Sequence, residues 1–111
     1  MSSSKAVLPL RAGAQLCHTM QDVRGNIDRV DRALVDLLAE RLSYIEQAGH
    51  IKPDRNTVRD PDRIEDVVSK VKAAGARHNL PDRYLEDVFR HLIEWSIAHE
   101  FDVYDTLKAD R

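Results

Sequence analysis

The stretch from Val23 to Lys52, VRGNIDRVDRALVDLLAERLSYIEQAGHIK, decides the fold. It contains no proline, and its apolar residues recur at a helical period. We therefore predict one helix from Gln21 to about Lys52. At roughly 1.5 Å per residue, this helix is about 45 Å long. A domain of this size cannot cover such a helix alone, so its length predicts a partner chain.

Two further helices are predicted after this stretch. Asp60 is a good N-cap, and Pro61 suits the first position of a helix. Pro81 and Asp82 open the third helix. Both segments carry apolar residues at helical spacing, and no segment is typical of a strand. The predicted fold class is all-α, with a three-helix subunit in the order long, short, long.

Composition limits the classes of protein and of site. The chain has 111 residues, which suits one helical domain over residues 21–111 after a flexible N-terminal tail over residues 1–20. Lys and Arg total 17 against 19 Asp and Glu, which argues against nucleic-acid binding. No apolar run is long enough to cross a membrane. The single Cys17 excludes an intrachain disulfide and a cysteine-based zinc site, and it favours a cytoplasmic location.

Cations interrupt the apolar stripe of the first helix. Steps of three and four residues give the series Arg24, Ile27, Asp31, Leu34, Leu38, Arg41, Ile45, Ala48 and Lys52. Arg41 and Lys52 lie within about 20° of each other around the helix. Buried cations need anionic partners, although long side chains of this kind also reach solvent or pair with acidic residues of another helix.

The spacing of these cations suggests a shared site. Arg24 and Arg41 are roughly 25 Å apart along one helix, too far to hold one small molecule. Two copies paired antiparallel about a two-fold axis bring Arg24 of one chain beside Arg41 and Lys52 of the other. The same pairing covers the long helix.

The third helix places Ser96 and Glu100 on one face, where aliphatic residues are expected. Ser96 taken alone is also a tolerated small core residue. A carboxylate at position 100 either neutralises a cation or carries a proton. With the cations, these residues predict a small, mostly apolar cavity that binds a compact dianion. No nucleophile–base pair and no metal-ligand cluster is evident, so neither a metal nor a cofactor is expected.

The stretch quoted above, followed by VRDPDRIEDV, resembles the all-helical AroQ-type chorismate mutases and the related isochorismate-pyruvate lyases. The similarity runs from about Asp22 to Tyr104 and includes the motif R-x-x-I-D-x-x-D-x-x-L-x-x-L-L-x-x-R. It implies an intertwined homodimer with two identical active sites and no cofactor. The implied activity is the rearrangement of chorismate to prephenate, an isomerase step of the shikimate pathway to aromatic amino acids.

The resemblance also implies roles for individual residues. Arg24 is the arginine donated across the interface, Arg41 binds a substrate carboxylate, and Lys52 contacts the ether oxygen and a carboxylate. Asp60 and Arg63 match the D-x-x-R at the start of the second helix.

On the third helix, Ser96 matches a site hydroxyl, and Glu100 stands where many members carry glutamine and some glutamate. Arg41, Lys52 and Glu100 are the expected catalytic residues. Glu100 can donate a hydrogen bond to the ether oxygen only when it is protonated. Activity is therefore expected to fall as the pH rises, and Glu100→Gln is expected to flatten that dependence.

One departure from the mutase pattern leaves alternatives open. Many mutases follow the residue matching Arg63 with a glutamate that binds the ring hydroxyl of the substrate, whereas Ile64 follows here, as in the lyases. Glu65, one place on, is expected to point elsewhere. The alternatives are lysis of isochorismate to salicylate and pyruvate, or a non-catalytic helical dimer module that turns over neither substrate.

Overall fold

The computed structural model of the protein describes residues 10–109. Three helices make up most of this part: α1 (Met20–Ile51), α2 (Pro61–Ala76) and α3 (Asp82–Ala109). A short 3-10 turn, Arg55–Thr57, lies in the connector between α1 and α2. No strand occurs among residues 10–109. The all-α subunit with helices in the order long, short, long is confirmed.

Side-chain caps explain where the first two helices begin. Thr19 caps α1 by accepting a hydrogen bond from the backbone N–H of Asp22 at 3.0 Å, and the carboxylate of Asp22 accepts one from His18 N–H at 3.3 Å. Asp60 caps α2 by accepting from the N–H of Arg63 at 3.1 Å. These caps satisfy backbone N–H groups that have no partner within the helix.

The central element is α3, which packs against both other helices. It runs parallel to α1, because contacts advance together along the two helices, from Arg41 with Ser96 to Gly49 with Val103. It runs antiparallel to α2, as the ion pairs Glu65–Arg90 and Lys72–Glu86 show.

The buried apolar core lies between α2, α3 and the connector. It consists of Val58, Val68, Ile93, Ile97 and Tyr104. No α1 side chain belongs to this buried cluster. Much of the apolar stripe of α1 remains exposed, including Ile27, Val30, Leu34, Leu37 and Leu38. The radius of gyration is 19.1 Å, whereas a compact chain of this length has about 13 Å.

The N-terminal tail is described only in part. Residues 1–9 lie outside the described residues, and its flexibility stays a prediction. In the part that is described, the guanidinium of Arg11 donates hydrogen bonds to the carbonyl oxygens of Asn79 at 2.7 Å and His78 at 3.3 Å. This contact ties residues 10–19 to the turn between α2 and α3. Within residues 10–109, no helix combines the length and the apolar character needed to span a membrane.

Gly49 allows α1 and α3 to approach closely near the end of α1. A Cβ atom at this position would lie 3.0 Å from Val103 Cγ1 and 3.3 Å from the carbonyl oxygen of Glu100. The carbonyl belongs to a packed helix, so it cannot move aside easily. We expect Gly49→Ala to lose about 1–3 kcal/mol of packing free energy, more than the helix-propensity gain of about 1 kcal/mol.

Gly25→Ala is the matched control, because a Cβ at Gly25 meets nothing within 4 Å. It should raise the free energy of unfolding by about 0.5–1 kcal/mol. Urea unfolding of both variants at one protein concentration measures the two effects. Equal gains in stability would show that α1 and α3 are not closely apposed at Gly49.

Candidate active site

Arg41 of α1 and Ser96 of α3 form one polar contact of the site. The guanidinium Nη1 of Arg41 donates a hydrogen bond to Ser96 Oγ at 3.0 Å, and this hydroxyl donates to the carbonyl of Leu92 at 2.7 Å. Ser96 is 3% exposed, so its hydroxyl is a structural part of the α1–α3 interface. The pKa of Arg41 is lowered from its usual value, first by burial and then by the positive charge of Arg63. An anion bound beside Arg41 would relieve both effects.

Lys52 and Glu100 form the second polar contact, near the end of α1. The Nζ atom of Lys52 lies 2.7 Å from Glu100 Oε2, and the Glu100 side chain is 5% exposed. Among the described residues, no group donates a well-aligned hydrogen bond to Oε2. Its contact with Lys52 is therefore an ion pair and not a hydrogen bond. Lys52 also donates to the carbonyl of Val58 at 3.4 Å. In the free protein, Glu100 therefore neutralises a cation, one of the two roles expected from the sequence.

A cavity adjoins the contact between Arg41 and Ser96. Its volume is about 180 Å³, and its lining adds four apolar side chains to the two polar residues: Leu38, Leu42, Leu92 and Trp95. Ligand pockets usually exceed about 300 Å³. The residues around this cavity form a mostly apolar wall that carries the contact between Arg41 and Ser96.

Sequence reasoning missed the aromatic side of this wall. Trp95 stacks on His99, with ring centroids 5.2 Å apart. His99 Nε2 lies 2.7 Å from the carboxylate of Glu46 on α1. The sequence did carry a signal for this pair. Trp95 and His99 are four residues apart, which places them on one helix face, and they directly precede Ser96 and Glu100. This pair adds a contact between α1 and α3 beside the two site contacts.

Arg63 and Asp60 occupy the start of α2. The Arg63 side chain is 61% exposed and contacts Asp66 Oδ2 at 2.6 Å. Asp66 also binds Lys70 at 2.9 Å. Arg63 lies close enough to Arg41 to lower its pKa. Asp60 serves as the N-cap of α2, so its contact with substrate stays a prediction.

Arg24 is not brought to the other site residues within one subunit. It is exposed near the start of α1, roughly 25 Å along the helix from Arg41. Five other predicted residues lie where α1, the start of α2 and α3 meet. They are Arg41, Lys52, Arg63, Ser96 and Glu100.

Position 64 offers no carboxylate that could bind a substrate hydroxyl, because an isoleucine stands there. The Ile64 side chain is half-buried and packs against the core. Glu65 points away, as expected, and accepts two hydrogen bonds of 2.9 Å from Arg90 of α3. Among the described residues, no group of three His, Cys, Asp or Glu side chains could hold a metal ion.

Removing Lys52 should leave a buried carboxylate without its cation. We expect Lys52→Ala to lower the free energy of unfolding by about 2–3 kcal/mol, because Glu100 is then desolvated and unpaired. Urea unfolding of the variant and the wild type measures this loss.

Adding Glu100→Gln to Lys52→Ala is the control. A neutral amide is cheaper to bury than a carboxylate, so the double variant should regain part of the lost stability. If Lys52→Ala unfolds at the same urea concentration as the wild type, another group must hold Glu100.

Residues 23–101 match the family described as chorismate mutase type II. The isochorismate pyruvate lyase of Pseudomonas aeruginosa is 26% identical over 84 residues, which cover 76% of this chain and 83% of that protein.

Two further relatives are longer proteins. The bifunctional chorismate mutase/prephenate dehydratase of Buchnera aphidicola is 32% identical over 68% of this chain and 20% of its own length. The secreted chorismate mutase of Mycolicibacterium smegmatis is 32% identical over 69% of this chain and 43% of its own length. Since the family match covers most of the chain, including the residues that line the cavity, the protein belongs to the chorismate mutase type II family.

Proposed function

We propose that this protein is a chorismate mutase, an isomerase that converts chorismate to prephenate in aromatic amino acid biosynthesis. The observation that carries the proposal is that Arg41 on α1 and Lys52 at its C-cap face Ser96 and Glu100 on α3. These contacts combine cations, donors and a mostly apolar wall, as a small dianion requires. Several relatives are themselves named chorismate mutases.

The rearrangement needs no nucleophile and no cofactor, because it is a unimolecular shift of bonds within the substrate. The protein has to hold the compact conformer, in which the reacting carbon atoms lie close together. Arg41 and Arg63 provide guanidinium groups for the two substrate carboxylates. The pKa of Arg41 is lowered by burial and then by the positive charge of Arg63, and a bound anion would oppose both effects.

Negative charge develops on the ether oxygen as its bond to the ring breaks. Donors aimed at this oxygen stabilise the transition state more than the ground state. Lys52 supplies one donor once it turns from Glu100 toward the substrate. Glu100 supplies a second donor only when protonated.

The proposal includes a homodimer in which Arg24 crosses to the other subunit. The exposed stripe Ile27, Val30, Leu34, Leu37 and Leu38 supports it, because one subunit leaves this apolar face in water. The small cavity supports it as well, since about 180 Å³ within one subunit is less than ligand pockets usually have. An antiparallel pair of α1 helices would bury the stripe and bring Arg24 to Arg41 of the partner.

Mixing two inactive variants tests the shared site. We expect Arg24→Ala and Arg41→Ala each to abolish most activity. After the variants are unfolded together and refolded, about half of the dimers are mixed, and each mixed dimer holds one intact site. The mixture should therefore recover about a quarter of the wild-type kcat per site.

The matched control mixes Arg41→Ala with Lys52→Ala. Both residues lie on the same subunit's side of the site, so neither site of a mixed dimer is intact. Recovery in this control, or none with Arg24→Ala, would contradict donation of Arg24 across the interface.

A second candidate function is lysis of isochorismate to salicylate and pyruvate. Ile64 favours it, because a half-buried aliphatic side chain cannot accept a hydrogen bond from the ring hydroxyl of chorismate. The similarity to a lyase over most of that protein's length also supports it. The same cations would bind either dianion.

Kinetics with each substrate separate the two functions. A mutase should show kcat/KM for chorismate about tenfold or more above that for isochorismate. Its turnover should be higher in acidic than in neutral solution, and Glu100→Gln should remove this difference. Product analysis at both pH values measures these outcomes. A higher kcat/KM for isochorismate would assign the lyase function, and no turnover of either substrate would favour a non-catalytic module.

The cytoplasmic location inferred from Cys17 stays a prediction, and one relative is named a secreted enzyme.

A further inference from the structure

The connector between α1 and α2 is attached to α3 at one end by Arg55. Its guanidinium donates to both carboxylate oxygens of Asp105, at 2.9 and 3.3 Å. The same group lies over the ring of Phe101, 4.5 Å from the ring centroid. A bidentate pair combined with a cation–π contact orients the arginine more strongly than a single ion pair does.

At the other end, Arg59 attaches the connector to an earlier turn of α3. Its two terminal nitrogens donate to the two carboxylate oxygens of Glu94, at 3.0 and 2.8 Å. Glu94 and Asp105 are eleven residues apart, so they lie within about 20° of each other around α3. Phe101 lies on the same face, and the connector runs antiparallel to α3 along it.

Between these two bridges, the connector is joined to the core and to the candidate active site. Val58 is 3% exposed and belongs to the core. Its carbonyl oxygen accepts the second contact of Lys52, at 3.4 Å. The Tyr104 hydroxyl donates to the carbonyl of Pro53 at 3.1 Å. Any shift of the connector away from α3 would therefore move a partner of Lys52.

We propose that Arg55 and Arg59 latch the connector onto α3 and so act as positioning residues for Lys52. They act through the backbone that holds Lys52 at one end of the connector and Arg63 beyond the other. The latch is defined by the pairs Arg55–Asp105 and Arg59–Glu94. Its effect on catalysis rests on the proposed function, whereas its effect on the mobility of the connector does not.

The latch persists in mildly acidic solution. The hydrogen bond from Arg59 lowers the pKa of Glu94, and that from Arg55 lowers the pKa of Asp105. Both carboxylates therefore remain ionised below their ordinary range, and the stabilisation is lost only as the pH falls through these lowered values. Each pair is exposed, so each separately gives a modest effect.

Charge reversal at Glu94 tests the latch against a simple effect of charge. Glu94→Arg breaks the bridge to Arg59, yet it adds positive charge near a site for a dianion. A latch predicts faster amide exchange of Thr57 and Val58 and a fall in kcat/KM of about fivefold, mainly in kcat. Long-range electrostatics alone predicts a rise in kcat/KM.

Two further variants complete the design. Asp102→Arg makes the same charge change on α3, closer to Glu100, at a residue that makes no ion pair among residues 10–109. Asp102→Arg should leave the amide exchange of Thr57 and Val58 as in the wild type. The double variant Arg59→Glu with Glu94→Arg re-forms the pair with opposite polarity and should restore exchange and kcat/KM to within about twofold.

The outcomes separate the latch from the proposed function. The latch is supported if the double variant shows slower amide exchange in the connector than Glu94→Arg does and also recovers kcat/KM. If amide exchange in Glu94→Arg is the same as in the wild type, the latch is overturned whatever the activity. It is also overturned if Glu94→Arg raises kcat/KM by as much as Asp102→Arg does. If the protein turns over neither substrate, the proposed function fails, and amide exchange alone decides the latch. If Glu94→Arg does not fold, Glu94→Gln replaces it with the same readouts.

Discussion

The structure depends on a buried carboxylate that faces a cation across two helices. Glu100 is 4% exposed, and a charge in that position is tolerated only when another charge compensates it. Lys52 does so at 2.7 Å. This pair requires α1 and α3 to lie close together and in one register, and Gly49 permits that approach. The contact between Arg41 and Ser96 then follows about three turns earlier on α1.

The buried core and the candidate active site occupy different parts of the subunit. The apolar core lies between α2, α3 and the connector, and α1 adds no side chain to its buried cluster. Instead α1 carries an exposed apolar stripe mainly in its first half and Arg41 in its second half. The proposed binding of a dianion fits this division, because cations in a well-packed core would have no free capacity to bind an anion.

The helices could be predicted closely from the sequence. The absence of proline in the first stretch and the Asp60-Pro61 start of α2 are local signals, and local signals are sufficient for helix boundaries. The spacing of Arg41 and Lys52 also predicted a shared face. The same reasoning identified Asp60 as the N-cap of α2, but it did not identify the stacking of Trp95 on His99 beside the site.

The sequence by itself determined the all-α class, the order of helices, the family and the stripe of cations that need an anion. Only the tertiary structure decided which acidic residue meets which cation. Glu100 pairs with Lys52, Glu94 with Arg59 and Asp105 with Arg55. Each pair joins residues distant in sequence, and 19 acidic residues offer many alternatives. The choice depends on the position of α3 against α1 and the connector, which packing around Gly49 and the core sets.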